Sequence, residues 1–172
     1  MVINQVILVD ENDKEIGQID KTEAHVGNGQ RHRAVSVLLL NDNKELLLQK
    51  RSNTKIVEPD KWANTCCGNI MVGETYEECA KRRLKEELGI TNVELMPVKK
   101  FEYHINFDNG YSEWEIDQVF TGNYNGKITP NKNEVSDYKY ISKGNLLSQI
   151  KNNPAQFAKW FLLIIKQEEI WK

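Results

Sequence analysis

The stretch from Gly68 to Ile90, GNIMVGETYEECAKRRLKEELGI, changes its period at Thr75. From there Cys79 or Ala80, Leu84 and Leu88 recur at helical spacing with charges between them. Thr75 or Glu74 is placed to cap the start and Gly89 to end it, so the spacing predicts a helix over 75–88. On such a helix Arg83, Glu86 and Glu87 share a face, because side chains three and four residues apart are neighbours, while Arg82 points elsewhere. By themselves these charges describe a solvated, salt-bridged surface.

Strand patterns lie on both sides of this helix. Val6 to Val9 and Ile16 to Ile19 flank the polar turn Asp10 to Lys14 and read as a hairpin. Ala34 to Leu40 (AVSVLLL) and Leu46 to Leu48, separated by Asn41-Asp42-Asn43, read as a buried strand pair in a sheet core. Downstream, Phe101 to Phe107 and Glu113 to Phe120 flank Asp108-Asn109-Gly110, a strong hairpin signal. Val135 to Ile141 reads as another strand and Leu146 to Ile150 as a short helix stopped before Pro154. Phe157 to Ile170, apolar around much of its circumference, reads as a helix packed on the sheet. The expected architecture is α/β, a mixed sheet between helices in one domain spanning 1–172.

A formal net charge of −2 gives no electrostatic reason to expect nucleic acid or an anionic membrane as partner. No apolar run approaches the length of a membrane span, and MVINQVILVDENDKE has neither a basic start nor a small-residue cleavage site, so a cytoplasmic protein is expected. The cysteines, Cys66, Cys67 and Cys79, form no disulfide framework and contain no CxxC pair for zinc.

Gly68, Glu74, Arg82, Glu86, Glu87, Gly89 and Ile90 together match the Nudix box at 68–90. Hydrolases of that family carry a glutamate directly after the box arginine, where this chain has Arg83. The exchange removes a metal-binding carboxylate and supplies a cation, which implies diphosphate binding without the usual hydrolysis. Just before the box, in the loop Asn64 to Asn69, WANTCCGN (Trp62 to Asn69) is similar to a segment of the type I isopentenyl-diphosphate delta-isomerases, with Cys67 at the catalytic cysteine. The resemblance extends along nearly the whole chain. His25 and His32, seven apart in a stretch with Gly27 and Gly29 where a loop can fold both imidazoles inward, match metal-binding histidines, Glu113 and Glu115 the ExE pair, Tyr103 a tyrosine near the catalytic glutamate, and Trp160 the tryptophan lining the pocket. Lys21, Arg51, Lys55 and Arg83 match the cations that hold the diphosphate, and Glu87 the carboxylate that meets magnesium.

The resemblance implies interconversion of isopentenyl and dimethylallyl diphosphates. Protonating an unactivated alkene needs an acid on one face, a base on the other, an aromatic face for the cation and no water. It assigns Cys67 and Glu115 to the proton transfers and Trp160 to the cation. It also implies Mg²⁺ with the diphosphate and Mn²⁺ or Zn²⁺ at the histidine and glutamate cluster. The expected partner is a small isoprenoid diphosphate, bound by a monomer or weak homo-oligomer.

Two departures stand out. Asn69 replaces an expected third metal-binding histidine and is the weaker ligand; Asp117, where a cysteine is often found, shares the strand face of Glu113 and Glu115 and is a candidate to compensate. Two other functions stay open at this point. One is a Nudix hydrolase of a nucleoside or other diphosphate, against which Arg83 counts. The other is a diphosphate-binding protein that has lost catalysis through Asn69. Cys66 and Cys79 are expected to be packing residues, and His104, next to Tyr103 on a strand, to face away from it.

Overall fold

The computed structural model describes residues 4–171; the first three residues and the last of the expected 1–172 domain lie outside them. The elements are β1 (Gln5–Val9), β2 (Glu15–Asp20), α1 (Lys21–His25), β3 (His32–Leu40), β4 (Leu46–Arg51), β5 (Trp62–Ala63), β6 (Cys66–Asn69), α2 (Tyr76–Leu88), β7 (Met96–Asn106), β8 (Ser112–Asn123), β9 (Val135–Ile141), α3 (Lys143–Asn152) and α4 (Lys159–Ile164). The nine strands among the described residues form one mixed sheet, in which β3 and β8 run parallel and the other pairings are antiparallel.

Helices cover both faces. On one, Cys79, Ala80, Leu84 and Leu88 of α2 pack on Val35, Val37 and Leu39 of β3. On the other, Leu146 of α3 and Trp160, Phe161 and Ile164 of α4 pack on Leu38, Leu46 and Leu48. No helix among the described residues is long and apolar enough to cross a membrane.

Helix α2 starts where its sequence says. Thr75 caps it in a reciprocal box with Glu78, and Gly89 ends it in the left-handed conformation at φ 66°. Glu74 does not cap; it takes a hydrogen bond from the Met71 N–H and pairs with Arg82. Arg82 also reaches the Asn69 carbonyl at 3.3 Å, so these two box residues brace the segment entering the helix.

Four expectations are corrected. The strands β3 and β4 pair directly only at Leu40 and Leu46. Between them the Thr65 hydroxyl takes the Leu39 N–H at 2.8 Å and donates to the Leu47 carbonyl at 2.7 Å, splitting the ladder. The expected loop Asn64 to Asn69 is in part strand β6, paired with β3. His25 ends helix α1, capped by Asp20, rather than lying in a glycine-rich loop. The expected helix over 157–170 is broken. The Ala158 N–H bonds the Trp62 carbonyl, holding Phe157 extended, so α4 begins only at Lys159 and a separate 3-10 turn follows at Glu168–Trp171.

Candidate active site

Pairing partners in a sheet share a face. Cys67 with Ser36, Asn69 and Asp117 with Ala34, and Glu115 with His32 therefore all project from one side of β6, β3 and β8. A cavity of about 490 Å³ opens there. All the site residues expected from the sequence line it except His32, which is fully buried and reaches Glu115 from behind.

At one end stand the histidines. Nδ1 of His25 lies 2.6 Å from the Lys21 carbonyl oxygen and Nδ1 of His32 lies 2.7 Å from that of Gln30. A carbonyl only accepts, so Nδ1 carries the hydrogen in each ring, and in the neutral form Nε2 keeps its lone pair. Those Nε2 atoms sit 3.9 and 3.4 Å from Oε1 of Glu115. The donor atoms of His25, His32 and Glu115 all lie within 4.8 Å of one another. Three lone-pair atoms facing each other require a hydrogen or a cation among them. Nδ2 of Asn69 supplies the hydrogen, 2.9 Å from Glu115 Oε1 and 3.0 Å from His32 Nε2.

Glu115 Oε2 accepts from the Tyr103 hydroxyl. Burial works against its charge, but the neighbouring His25 and His32 imidazoles outweigh that and hold its carboxyl well below the usual range. Glu113 behaves oppositely: burial and the neighbouring Glu115 raise it well above that range, and its buried Oε2 has no hydrogen-bond partner. Asp117, candidate for the missing third ligand, does not join the group. It is fully buried, with no hydrogen-bond partner on either oxygen, and burial followed by Glu115 pushes its pKa up to about 8.

Cys67 belongs to the same cavity. Burial, then Glu87, pushes its thiol up to about 12, so it is protonated at neutral pH. Trp160 is held by a hydrogen bond from Nε1 to Asn64 Oδ1 at 3.2 Å, and Arg51 lies over its ring with Cζ 4.8 Å from the centroid. Arg51 is already occupied otherwise: Nε and Nη2 donate to the Val57 carbonyl and Nε also to that of Glu58.

The opposite end is cationic. Arg83 crosses over β6 at Gly68, where a Cβ would come 2.5 Å from Arg83 Cγ, so the box glycine clears the path of this side chain. Arg83 Nη2 meets Glu87 Oε1 at 2.5 Å, and Gln49 Nε2 fixes the other Glu87 oxygen at the same distance. Lys21 is mostly buried, and burial with the nearby Arg83 and Lys55 charges lowers its pKa. Sequence reasoning missed Glu134, which bonds Lys55 at 2.5 Å and Arg83 at 3.3 Å, and the supporting Gln49 and Asn64. Neither the loop sequence around Glu134 nor the isolated amides carry any local signal. Outside the cavity, Cys66 and Cys79 are fully buried among core side chains, and His104 is exposed and stacks on Trp114.

The NUDIX domain family matches residues 30–161. The chain is 39% identical to an isopentenyl-diphosphate Delta-isomerase from Pectobacterium atrosepticum, over 95% of this chain and 90% of that protein. It is 40% identical to isopentenyl-diphosphate Delta-isomerase 2 from Photorhabdus laumondii, over 93% of this chain and 89% of the relative. A crystal structure of a Deinococcus radiodurans protein superposes with a TM-score of 0.74 at 25% identity, covering 90% of this chain and 92% of that one. With a NUDIX match over most of its length and relatives of this identity over nearly all of it, the chain belongs to the isopentenyl-diphosphate Delta-isomerase family of NUDIX-domain proteins.

Proposed function

We propose that the protein interconverts isopentenyl and dimethylallyl diphosphates by a 1,3 proton shift, as the names of its relatives indicate. The observation that carries this is one cavity holding a protonated thiol, an ionised carboxylate, an indole face and a cationic end. Lys21, Lys55 and Arg83, with Arg51 behind them, would hold the diphosphate and place the alkene beside Trp160. One proton-handling group adds a proton at C4, leaving a tertiary cation at C3, and the other removes one from C2 to form the 2,3 double bond.

In the forward direction of this reading Cys67 would be the proton-bearing member and Glu115 the acceptor, with Tyr103 hydrogen-bonded to the carboxylate. The reverse reaction exchanges these roles. Trp160 would stabilise the cation with the part of its ring that lines the cavity.

The histidine and glutamate group fits a divalent metal: two imidazole nitrogens and the Glu115 carboxylate oxygen converge, while Glu113, a cavity residue outside that converging group, has a buried oxygen without a partner. Mn²⁺ or Zn²⁺ suits this set; the Asn69 amide, which turns its nitrogen toward Glu115 and His32, would have to turn over to offer its oxygen, and Mg²⁺ would accompany the diphosphate at Glu87. When bound, such an ion would fix Glu115 and tune its proton affinity. We place the reaction in the cytoplasm, in a single-domain monomer or weak homo-oligomer with no nucleic-acid or membrane partner.

The test is a proton and phosphorus NMR time course with isopentenyl diphosphate, Mg²⁺ and Mn²⁺ in heavy water. Dimethylallyl diphosphate carrying deuterium at C4, with no phosphate released, is expected. Phosphate release, or an unchanged spectrum from metal-loaded protein, would overturn the proposal.

A further inference from the structure

The backbone around Glu134 is tied down. Its carbonyl accepts from the Ser52 N–H at 2.9 Å and its own N–H donates to Asn131 at 2.9 Å. Asn131 and Thr129 donate in turn to the Glu87 and Leu88 carbonyls at the end of α2. The side chain is different. It is 26% exposed, lines the cavity, and reaches Lys55 Nζ at 2.5 Å and Arg83 Nη2 at 3.3 Å through the same oxygen.

Two carboxylates thus converge on Arg83 Nη2, but only one is fixed. Glu87 is buried and bonded through its second oxygen to Gln49, whereas Glu134 lines the cavity with its side chain partly exposed and is held only through one oxygen by Lys55 and Arg83. The cations need such an anion in the absence of ligand. Lys21 feels the repulsion of Arg83 and Lys55, and Glu134 is among the charges that offset it.

We propose that Glu134 is a built-in occupant of the diphosphate end of the cavity, which makes tight diphosphate binding conditional on a divalent cation. This rests on the cavity being the diphosphate site. Lys21, Lys55 and Arg83, with Arg51 behind them, bring four positive charges, and Glu87 and Glu134 bring two negative ones. A diphosphate ester adds about three more negative charges and leaves a deficit that a divalent cation covers. Removing the Glu134 charge shrinks that deficit. Glu134 therefore acts as a competitor of the ligand for Lys55 and Arg83, and the cation tips the competition.

The probe is inorganic pyrophosphate, titrated calorimetrically into the full chain in EDTA and in Mg²⁺, for the native protein, Glu134→Gln and Lys55→Met. Glu134→Gln is expected to bind about tenfold more tightly than the native protein in EDTA and to gain correspondingly less from Mg²⁺. Lys55→Met is expected to weaken binding in both buffers, which reports that the probe sits in this cavity. Equal or weaker binding by Glu134→Gln in EDTA, with Lys55→Met still weakened, would overturn the role of Glu134 alone. A loss of Mg²⁺ response without any gain in EDTA does the same, since it makes Glu134 a ligand of the cation. Absence of binding in every condition, or an unaffected Lys55→Met, would overturn the diphosphate reading and this inference with it.

Discussion

Tyr103 and Glu115 face each other directly across β7 and β8, and the phenol donates to the carboxylate oxygen that the histidines leave free. Burial and the Glu115 charge raise the Tyr103 phenol well above its ordinary value, so it serves as a donor. Tyr103→Phe leaves a buried oxygen without its partner, a loss of about 1–3 kcal/mol. The fold should lose stability by about that amount in urea titrations, and kcat should fall about 10- to 100-fold. A variant with unchanged kcat would separate the phenol from the reaction.

Cys67→Ala removes one of the two proposed proton-handling groups from a position that the backbone pairing with Ser36 holds without help from the thiol. Turnover should fall by about 10²- to 10⁴-fold with little change in melting temperature. Substantial isomerisation by this variant would take Cys67 out of the mechanism.

Asn69 bridges Glu115 and His32 through its amide nitrogen, so its side chain already reaches both donor atoms. Asn69→His replaces an amide by an imidazole and is expected to tighten Mn²⁺ or Zn²⁺ by about 10- to 100-fold, read by competition with a chromophoric chelator. Equal affinities would place Asn69 outside the metal site.

Asp117 is a fully buried carboxyl group without a hydrogen-bond partner, and it lies outside the metal-binding group. Asp117→Val should therefore stabilise the metal-free protein by about 1–3 kcal/mol in urea and leave metal affinity unchanged. Weaker metal binding would instead make Asp117 part of the site.

Asp13 carries the clearest acid dependence away from the cavity. Partial burial opposes its charge, but Lys100 at 2.6 Å, Arg33 at 2.7 Å and the Tyr76 hydroxyl lower its pKa overall. A depressed carboxyl contributes stability that is present above its unfolded pKa, about 4, and is lost as pH falls through the folded value. Asp13→Asn should thus be less stable than the native protein at pH 6, with the gap closing below about pH 4. Urea midpoints across that range give the answer, and parallel curves would dismiss the ion cluster as a source of stability.

Local signals explain which parts of the fold were legible. Helix α2 announces itself because cap, apolar period and terminal glycine all fall within fifteen residues. The hairpin around Gly110 does so for the same reason. Strand β6 does not, because Gly68 and Asn69 are poor strand formers and its pairing with β3 is made at a distance. The break before α4 depends on the Trp62 carbonyl, far away in sequence. The site divides the same way. Cys67, the glutamates and the cations were recognisable by resemblance, whereas Glu134 meets Lys55 and Arg83 across 79 and 51 residues and only the folded chain brings them together.

Strand β3 pairs with β6 at Ser36 and with β8 at His32, so the offset between Cys67 and Glu115 is written in four residues of a third strand. A residue inserted between 32 and 36 would shift one partner against the other and turn one of the two to the opposite face. The deletions and insertions that let a family drift in length are thereby barred from this segment. They must fall instead in turns such as Asn41 to Lys44 or Asp108 to Gly110, where added length leaves that offset intact.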